Sequence, residues 1–392
     1  MEKKVSLLVF LLAFSENLDS QIPGNKKHSS RVGYTSLNIA NALGLSEEQK
    51  YSLIISSLLH DAGDGKIGCP NEKTIPEHAS KGNLFIEDVP FLEKPAAIIK
   101  YHHIPWDFGK GSIYKEEEIP IESHILHLAE FIDDYIDRDK YVLKERRKVI
   151  KKIKEERDVI FNPDVVDTFL ELSSKEAFWF EINYDTIDPS SFKNDLQLDL
   201  DDLLLLSKAI ARIVDFRSKF QVRHSKNVAA VSSFIGETLK LPKEKIEELR
   251  IAGYLHDIGK VAIPPQILTK ESKLTKKESE YLKVHPYKTY LTLKKSIPSE
   301  DIILWASLHH EKLNGKGYPF HLTKDEIPFE ARIVSIADIF AALLEDRPYR
   351  KGTSVKRAVA NMKSLAKNGY IDSDILGILI ENLEEISNLI KL

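Results

Sequence analysis

Two long spacings between histidines occur twice in this chain, and they constrain its organisation more tightly than any other feature. His28 precedes His60 by 32 residues and His224 precedes His256 by 32; His78 precedes His102 by 24, as His285 precedes His309. The words around them repeat as well. Leu58-Leu59-His60-Asp61-Ala62-Gly63 echoes Tyr254-Leu255-His256-Asp257-Ile258-Gly259, and Ile119-Pro120-Ile121-Glu122 with Ala129-Glu130 echoes Ile327-Pro328-Phe329-Glu330 with Ala337-Asp338. A chain of 392 residues has room for two or three cores. A duplication of whole domains, rather than a short-period solenoid, sets the number at two.

Both halves read as helical, because apolar residues recur at three- and four-residue spacing with few alternating runs. Ala229, Val231, Phe234, Ile235 and Leu239 form one stripe, and Leu249, Ile251, Ala252 and Leu255 form the next. Leu45-Ser46 and Leu241-Pro242 are matching helix-start signals. His60-Asp61 and His256-Asp257 end their apolar helices close to Gly63 and Gly259, so their side chains can face a central cavity. The expected fold is therefore all-α, two tandem helical bundles: residues 1–174, a connector at 175–200, and 201–392. In the connector, Phe178, Trp179, Phe180 and Tyr184 mix with Asp188-Pro189-Ser190-Ser191, which predicts a packed segment and turn rather than a loose linker.

Composition narrows the partners. Lys+Arg 56 against Asp+Glu 60 leaves a net charge of −4, so no global basic field argues for a nucleic-acid polymer. The basic stretch 144–158 reads as a solvated helix face. The lone Cys69 excludes an intramolecular disulfide framework and fits a reducing cytoplasm, the expected location. Residues 1–14 have the charged start and apolar run of a secretory signal, yet Ser15-Glu16-Asn17 offers no cleavage site and the run is too short to span a bilayer. Asp19 also matches Asp215 at the offset of 196, so this segment is expected to be a core helix of the first repeat, and no membrane span is expected.

A single His-Asp pair beside an apolar run is usually a hydrogen-bonded or capping pair. Here further histidines and a late Asp338 accompany it, supplying the imidazole and carboxylate ligands that a two-metal hydrolytic site needs. Without thiolate, such a set suits two divalent ions, Fe or Mn, with Zn also allowed. A carboxylate such as Asp257 can offer one oxygen to each ion, holding them about 3.5 to 4 Å apart.

Three words carry a resemblance over residues 215–383: His256-Asp257-Ile258-Gly259-Lys260; His309-His310-Glu311 with Asn314-Gly315-Lys316-Gly317-Tyr318-Pro319; and Asp346-Arg347-Pro348-Tyr349-Arg350. This half resembles the HD-GYP family of the HD-domain phosphohydrolase superfamily. The resemblance implies that His224, His256 and Asp338 join Asp257 on one metal, and His285, His309 and His310 on the other. It implies that Lys260 meets the scissile phosphate, that Arg347 and Arg350 bind nucleotide phosphates, and that the loop with Gly317, Tyr318 and Pro319 serves substrate recognition and contact with a signalling partner. Two departures matter. Phe220 stands where some members carry a third-metal glutamate, which predicts a binuclear site, and Ala341 stands where the family often has Asp, which bears on guanine contacts. The family's closing segment has counterparts at Asn162-Pro163-Asp164-Val165-Val166 and Ile371-Asp372-Ser373-Asp374-Ile375.

In the first repeat His28, His60, Asp61, His78, His102, His103 and Glu130 keep the ligand types and form a candidate second metal site. Asp64 stands at the Lys260 position and the GYP word is missing, so negative charge faces any anionic substrate. This domain therefore reads as regulatory or structural. The function the resemblance implies is hydrolysis of cyclic di-GMP to pGpG and, as a further step, to GMP. Two alternatives stay open: a phosphohydrolase of another cyclic dinucleotide or nucleotide, and a nucleotide- or metal-sensing module without hydrolysis.

Overall fold

The computed structural model describes residues 4–20, 27–64, 75–184, 187–218, 223–346 and 351–390. They are helical almost throughout; among the described residues the strands are two two-residue pairs, Val5–Ser6 with Gln197–Leu198 and Ile113–Tyr114 with Glu117–Glu118. The all-α expectation holds. The start signals act as expected: Ser46 caps Glu47–Leu59 in a reciprocal box with Gln49, and Pro242 precedes Lys243–Leu255. No helix among the described residues is long and apolar enough to cross a membrane.

Contacts divide the chain into a unit of Leu18–Leu196 and a unit of Gln197–Leu392 together with Met1–Asn17. This differs from the expected 1–174, 175–200 and 201–392 at both seams. Val5 pairs with Leu198 and Ser6 with Gln197, the Asn17 amide donates to the Thr292 hydroxyl, and Lys295 pairs with Glu16 at 2.5 Å. Those contacts tie the first residues to the C-terminal unit. Leu7, Leu8, Phe10, Leu11 and Phe14 in the helix Leu7–Asp19 are fully buried, so the apolar run is core.

The other seam moves because the expected connector is core too. Phe178, Trp179 and Ile182 of the helix Glu176–Tyr184 join the apolar cluster built by His28–Ala42, Ile121–Tyr135 and Pro163–Leu172. Trp179 is fully buried and donates from Nε1 to Ser173 O at 2.9 Å. Further on, the Tyr51 hydroxyl donates to Asp195 at 2.8 Å and accepts from Leu196 N at 3.0 Å. On Val142–Glu155 only Val142, Glu145, Val149 and Ile153 are buried, which leaves the basic residues on a solvated face.

If residues 176–184 are core, Trp179→Ala should destabilise the full chain by about 3–5 kcal/mol, as for other buried aromatics. Urea unfolding followed by circular dichroism measures this; a loss under about 0.5 kcal/mol, typical of surface sites, would make the segment a linker after all.

Candidate metal centre

In the C-terminal unit the ends of four helices and the middle of a fifth converge. His224 opens His224–Thr238, His256 closes Lys243–Leu255, His285 opens His285–Ser296, and His309-His310 follow Glu300–Ser307. Asp338 lies within Phe329–Leu344. Asp215 anchors the first of these ends by accepting from Ser225 N at 3.0 Å and Ser225 Oγ at 2.7 Å. Gly259 permits a close approach, since a Cβ there would lie 2.1 Å from His285 O.

Asp257 is the hub. Its Oδ2 lies 3.2 Å from His256 Nε2 and 3.7 Å from His224 Nε2, while Oδ1 lies 3.3 Å from His285 Nε2 and 3.8 Å from His309 Nε2. Asp338 completes the group, 3.2 Å from His224 Nε2 and 3.9 Å from His310 Nδ1. All seven expected ligands are thus brought together. Lys260 Nζ donates to Asp257 Oδ2 at 2.5 Å.

Hydrogen bonding fixes the tautomers. His256, His285 and His309 each direct Nδ1 at the carbonyl three residues back, on Gly253, Leu282 and Ala306, at 2.7–2.8 Å. A carbonyl only accepts, so Nδ1 carries the proton and Nε2 presents a lone pair inward, the arrangement of a metal-ligating histidine. His285 Nε2 and His309 Nε2 then face each other at 3.3 Å, two acceptors with no proton between them. Nε2 of His224 and of His256 are buried without a hydrogen-bond partner. Lone pairs and carboxylates that converge in this way call for cations. Burial and the neighbouring His256 push His309 down to about 3, keeping it a neutral ligand. At His224 burial opposes charge, but the Asp338 and Glu345 carboxylates outweigh it and raise the group to about 10; positive charge is wanted there too.

Glu345 is a residue of the site that sequence reasoning missed. It accepts from His224 Nδ1 at 2.9 Å and from Asn227 Nδ2 at 3.1 Å. Ala341, the position noted for its bearing on guanine contacts, lies one helical turn earlier, and nothing in the sequence motifs pointed to Glu345. Glu311, quoted in the motif but given no role, is buried and accepts from the backbone N–H groups of Phe320, His321 and Leu322 at 2.7–3.2 Å. It ties down the expected substrate loop. A Cβ at Gly317 would lie 2.3 Å from Lys312 N, the Tyr318–Pro319 bond is cis, and the Tyr318 ring sits 4.9 Å from that of His310. Phe220, Arg347 and Arg350 lie outside the described residues.

The N-terminal unit repeats much of this. His60 and His102 point Nδ1 at Ser57 O (2.8 Å) and Ile99 O (2.6 Å), His28 Nε2 faces His60 Nε2 at 3.2 Å, and Asp61 lies 3.5–3.6 Å from both His60 and His28. His78, His102 and His103 form a second group. Glu130 differs from Asp338, because it lies 3.5 and 3.6 Å from His102 and His103. His28 instead holds Asp133 through Nδ1 at 2.7 Å, and Arg31 fixes that carboxylate at 2.7 and 2.8 Å.

Two helical units, each with a buried His-Asp centre, define a tandem HD-domain protein. HD-domain family models match residues 26–139 and 208–375. Over its length the chain is similar to the 3′3′-cGAMP-specific phosphodiesterase 1 of Vibrio cholerae serotype O1, with 30% identity covering 98% of this chain and 94% of that protein. The cyclic di-GMP phosphodiesterase response regulator RpfG of Xanthomonas campestris pv. campestris is 37% identical over 38% of this chain and 40% of its own length. A crystal structure of a cyclic GMP-AMP-specific phosphodiesterase of V. cholerae shares the fold, with a TM-score of 0.64 and 23% identity over 97% of this chain and 98% of that one. The chain belongs to the HD-GYP family of HD-domain, metal-dependent phosphohydrolases.

Removing the carboxylate partner of a ligating histidine commonly costs about 10–100-fold in metal affinity. Glu345→Ala should weaken Mn²⁺ binding at the C-terminal centre by that factor, with Glu345→Gln intermediate. Calorimetric titration of the full chain measures it, and an unchanged affinity would show that His224 needs no such partner.

Proposed function

We propose that the C-terminal unit hydrolyses a phosphodiester of a 3′3′-linked cyclic dinucleotide, with cyclic GMP-AMP as the leading substrate. The observation that carries the reaction is Asp257, which turns one oxygen to His224 and His256 and the other to His285 and His309. His224, His256 and Asp338 would hold one divalent ion and His285, His309 and His310 the other, with Asp257 shared and Fe or Mn the preferred metals. Such ions, when bound, supply an activated water near neutral pH and offset charge on the phosphate.

The remaining work falls to side chains. Lys260, paired with Asp257, is positioned to turn its ammonium to a non-bridging phosphate oxygen once Asp257 is otherwise neutralised. The Tyr318 ring lies beside that of His310 at a tilt of 38° and Glu311 fixes the loop behind it, which supports Gly317, Tyr318 and Pro319 as one wall of the substrate site. Arg347 and Arg350 are assigned to substrate phosphates on their sequence motif alone. Phe320 of this loop is part-exposed beside Tyr287, consistent with a partner-contact role.

Cyclic di-GMP, the substrate expected from sequence, becomes the second reading. Support for it comes from several relatives, each aligned to less than half of the chain, whereas a relative aligned over nearly all of it is named for cyclic GMP-AMP. Ala341 points the same way, as the position where the family often carries a base-contacting Asp.

The full chain, loaded with Fe²⁺ or Mn²⁺ without oxygen, should linearise cyclic GMP-AMP faster than cyclic di-GMP and leave mononucleotides largely intact on product chromatography. Asp257→Ala should abolish turnover, Asp61→Ala should largely spare it, and Lys260→Ala should lower kcat by ~10²–10³, the scale for losing one transition-state donor. Tight binding of either dinucleotide with no cleavage under both metals would replace the enzyme by a sensor.

A further inference from the structure

Beside the histidines of the N-terminal unit lies a cavity that the proposed reaction does not use. It measures about 250 Å³ and is lined by His103 together with Lys100, Tyr101, Tyr114, Lys115 and Glu117. Nε2 of His78, His102 and His103 and Glu130 Oε2 are all buried without a hydrogen-bond partner, although the three histidines can reach one ion together. Polar atoms buried in this state cost free energy that a cation would recover.

The mouth of the cavity has its own chemistry. A tight hairpin, Ile113–Tyr114 paired with Glu117–Glu118, turns through Lys115 and Glu116 at positive φ and sets Lys115 over the Tyr114 ring at 5.4 Å. Lys115 makes no ion pair with a carboxylate among the described residues. Lys100, by contrast, spends its charge on Glu117 at 3.1 Å. Tyr101 and Tyr114 stand 6.1 Å apart by ring centroids, and Tyr114 is 40% exposed. Histidines at the floor, an ammonium without a carboxylate partner at the rim and two aromatic walls match an anion carried on a flat ring. The volume falls below the ~300–1,000 Å³ usual for ligand sites, so the occupant is of mononucleotide size or smaller.

We propose that the N-terminal unit is a metal centre in its own right, and that its His78–His102–His103 side binds a small phosphate-bearing ligand, free phosphate or a nucleoside monophosphate, in this cavity. The inference rests on this unit's residues and does not depend on the reaction proposed for the other.

The test uses the full chain carrying His256→Ala, Asp257→Ala and His309→Ala, which breaks both histidine groups of the C-terminal centre. This chain should still retain Co²⁺ after dialysis, show the visible absorption of a nitrogen-ligated ion, and melt at a higher temperature with the metal than without it. His102→Ala added to that background should remove all three signals; His103→Gln, nearer the surface, should weaken them if the first variant does not fold. Inorganic phosphate or GMP should shift the Co²⁺ absorption, and Lys115→Ala should weaken that response about tenfold, the scale of one charge-assisted contact. Equal responses to phosphate and GMP assign the site to the oxyanion, and a tighter GMP response to the nucleotide. A folded chain that keeps no Co²⁺ overturns the metal centre; retained Co²⁺ that neither ligand perturbs overturns the ligand. Hydrolysis by the wild-type chain is measured separately, so failure of one reading leaves the other standing.

Discussion

The structure turns on a short local hydrogen bond that three of the converging histidines make to the backbone just before them. Nδ1 of His256, His285 and His309 reaches back three residues to a carbonyl left open where its helix stops or the preceding turn closes. That bond fixes ring orientation and tautomer together, so the lone pairs are aimed before any ion arrives. A rotating imidazole would surrender much of its affinity to ordering. The cost lies in the centre itself, where buried carboxylates and histidines are taken from water, with Lys260 among the groups that offset Asp257. Apolar layers such as Leu249, Ile251 and Leu255 behind His256, all fully buried, offset that cost.

The two units show which parts of this device move together. Asp19 accepts from Ser29 N and Oγ at 3.1 and 2.7 Å, as Asp215 does from Ser225. A Cβ at Gly63 would lie 2.1 Å from His78 O, the same distance as at Gly259 from His285 O. Helix anchors and close approaches are therefore held in common. The carboxylates are not: Asp133 orients His28 where Glu345 orients His224, and Glu130 leans to the histidine pair that Asp338 meets only through His310. A carboxylate can be supplied from any turn of a helix that passes the site, whereas a helix end has one position.

This asymmetry explains what could be read in advance. The histidines and Asp257 were legible because each sits at an element boundary marked by apolar periodicity, glycine or proline, and spacing then placed them; Asp338, inside its helix, was legible only through the family resemblance. Glu345 was not, because nothing local distinguishes it from other glutamates near a helix end; only its contact with Asn227 and His224 does so. The seams were legible as structure but not as allegiance. Residues 7–14 announced a buried helix and 178–182 a packed aromatic segment, yet burial does not say against what. The two-residue pairing of Val5–Ser6 with Gln197–Leu198 carries too little pattern to foresee.

The units part company at one residue after the histidine pair. In the C-terminal unit Glu311 follows His310, and its buried carboxylate gathers three backbone N–H groups from residues 320–322, holding the Gly317-Tyr318-Pro319 loop against the centre. In the N-terminal unit Ile104 follows His103, which can collect no N–H groups, and the chain runs instead into the hairpin whose Lys115 overhangs a small cavity. A charged anchor yields a tethered loop, and an apolar residue leaves the wall to be built by a local turn. The histidines stay nearly alike while the surfaces beside them become different in kind, so the wall next to each centre is shaped by the residue behind its histidine pair as much as by the histidines themselves.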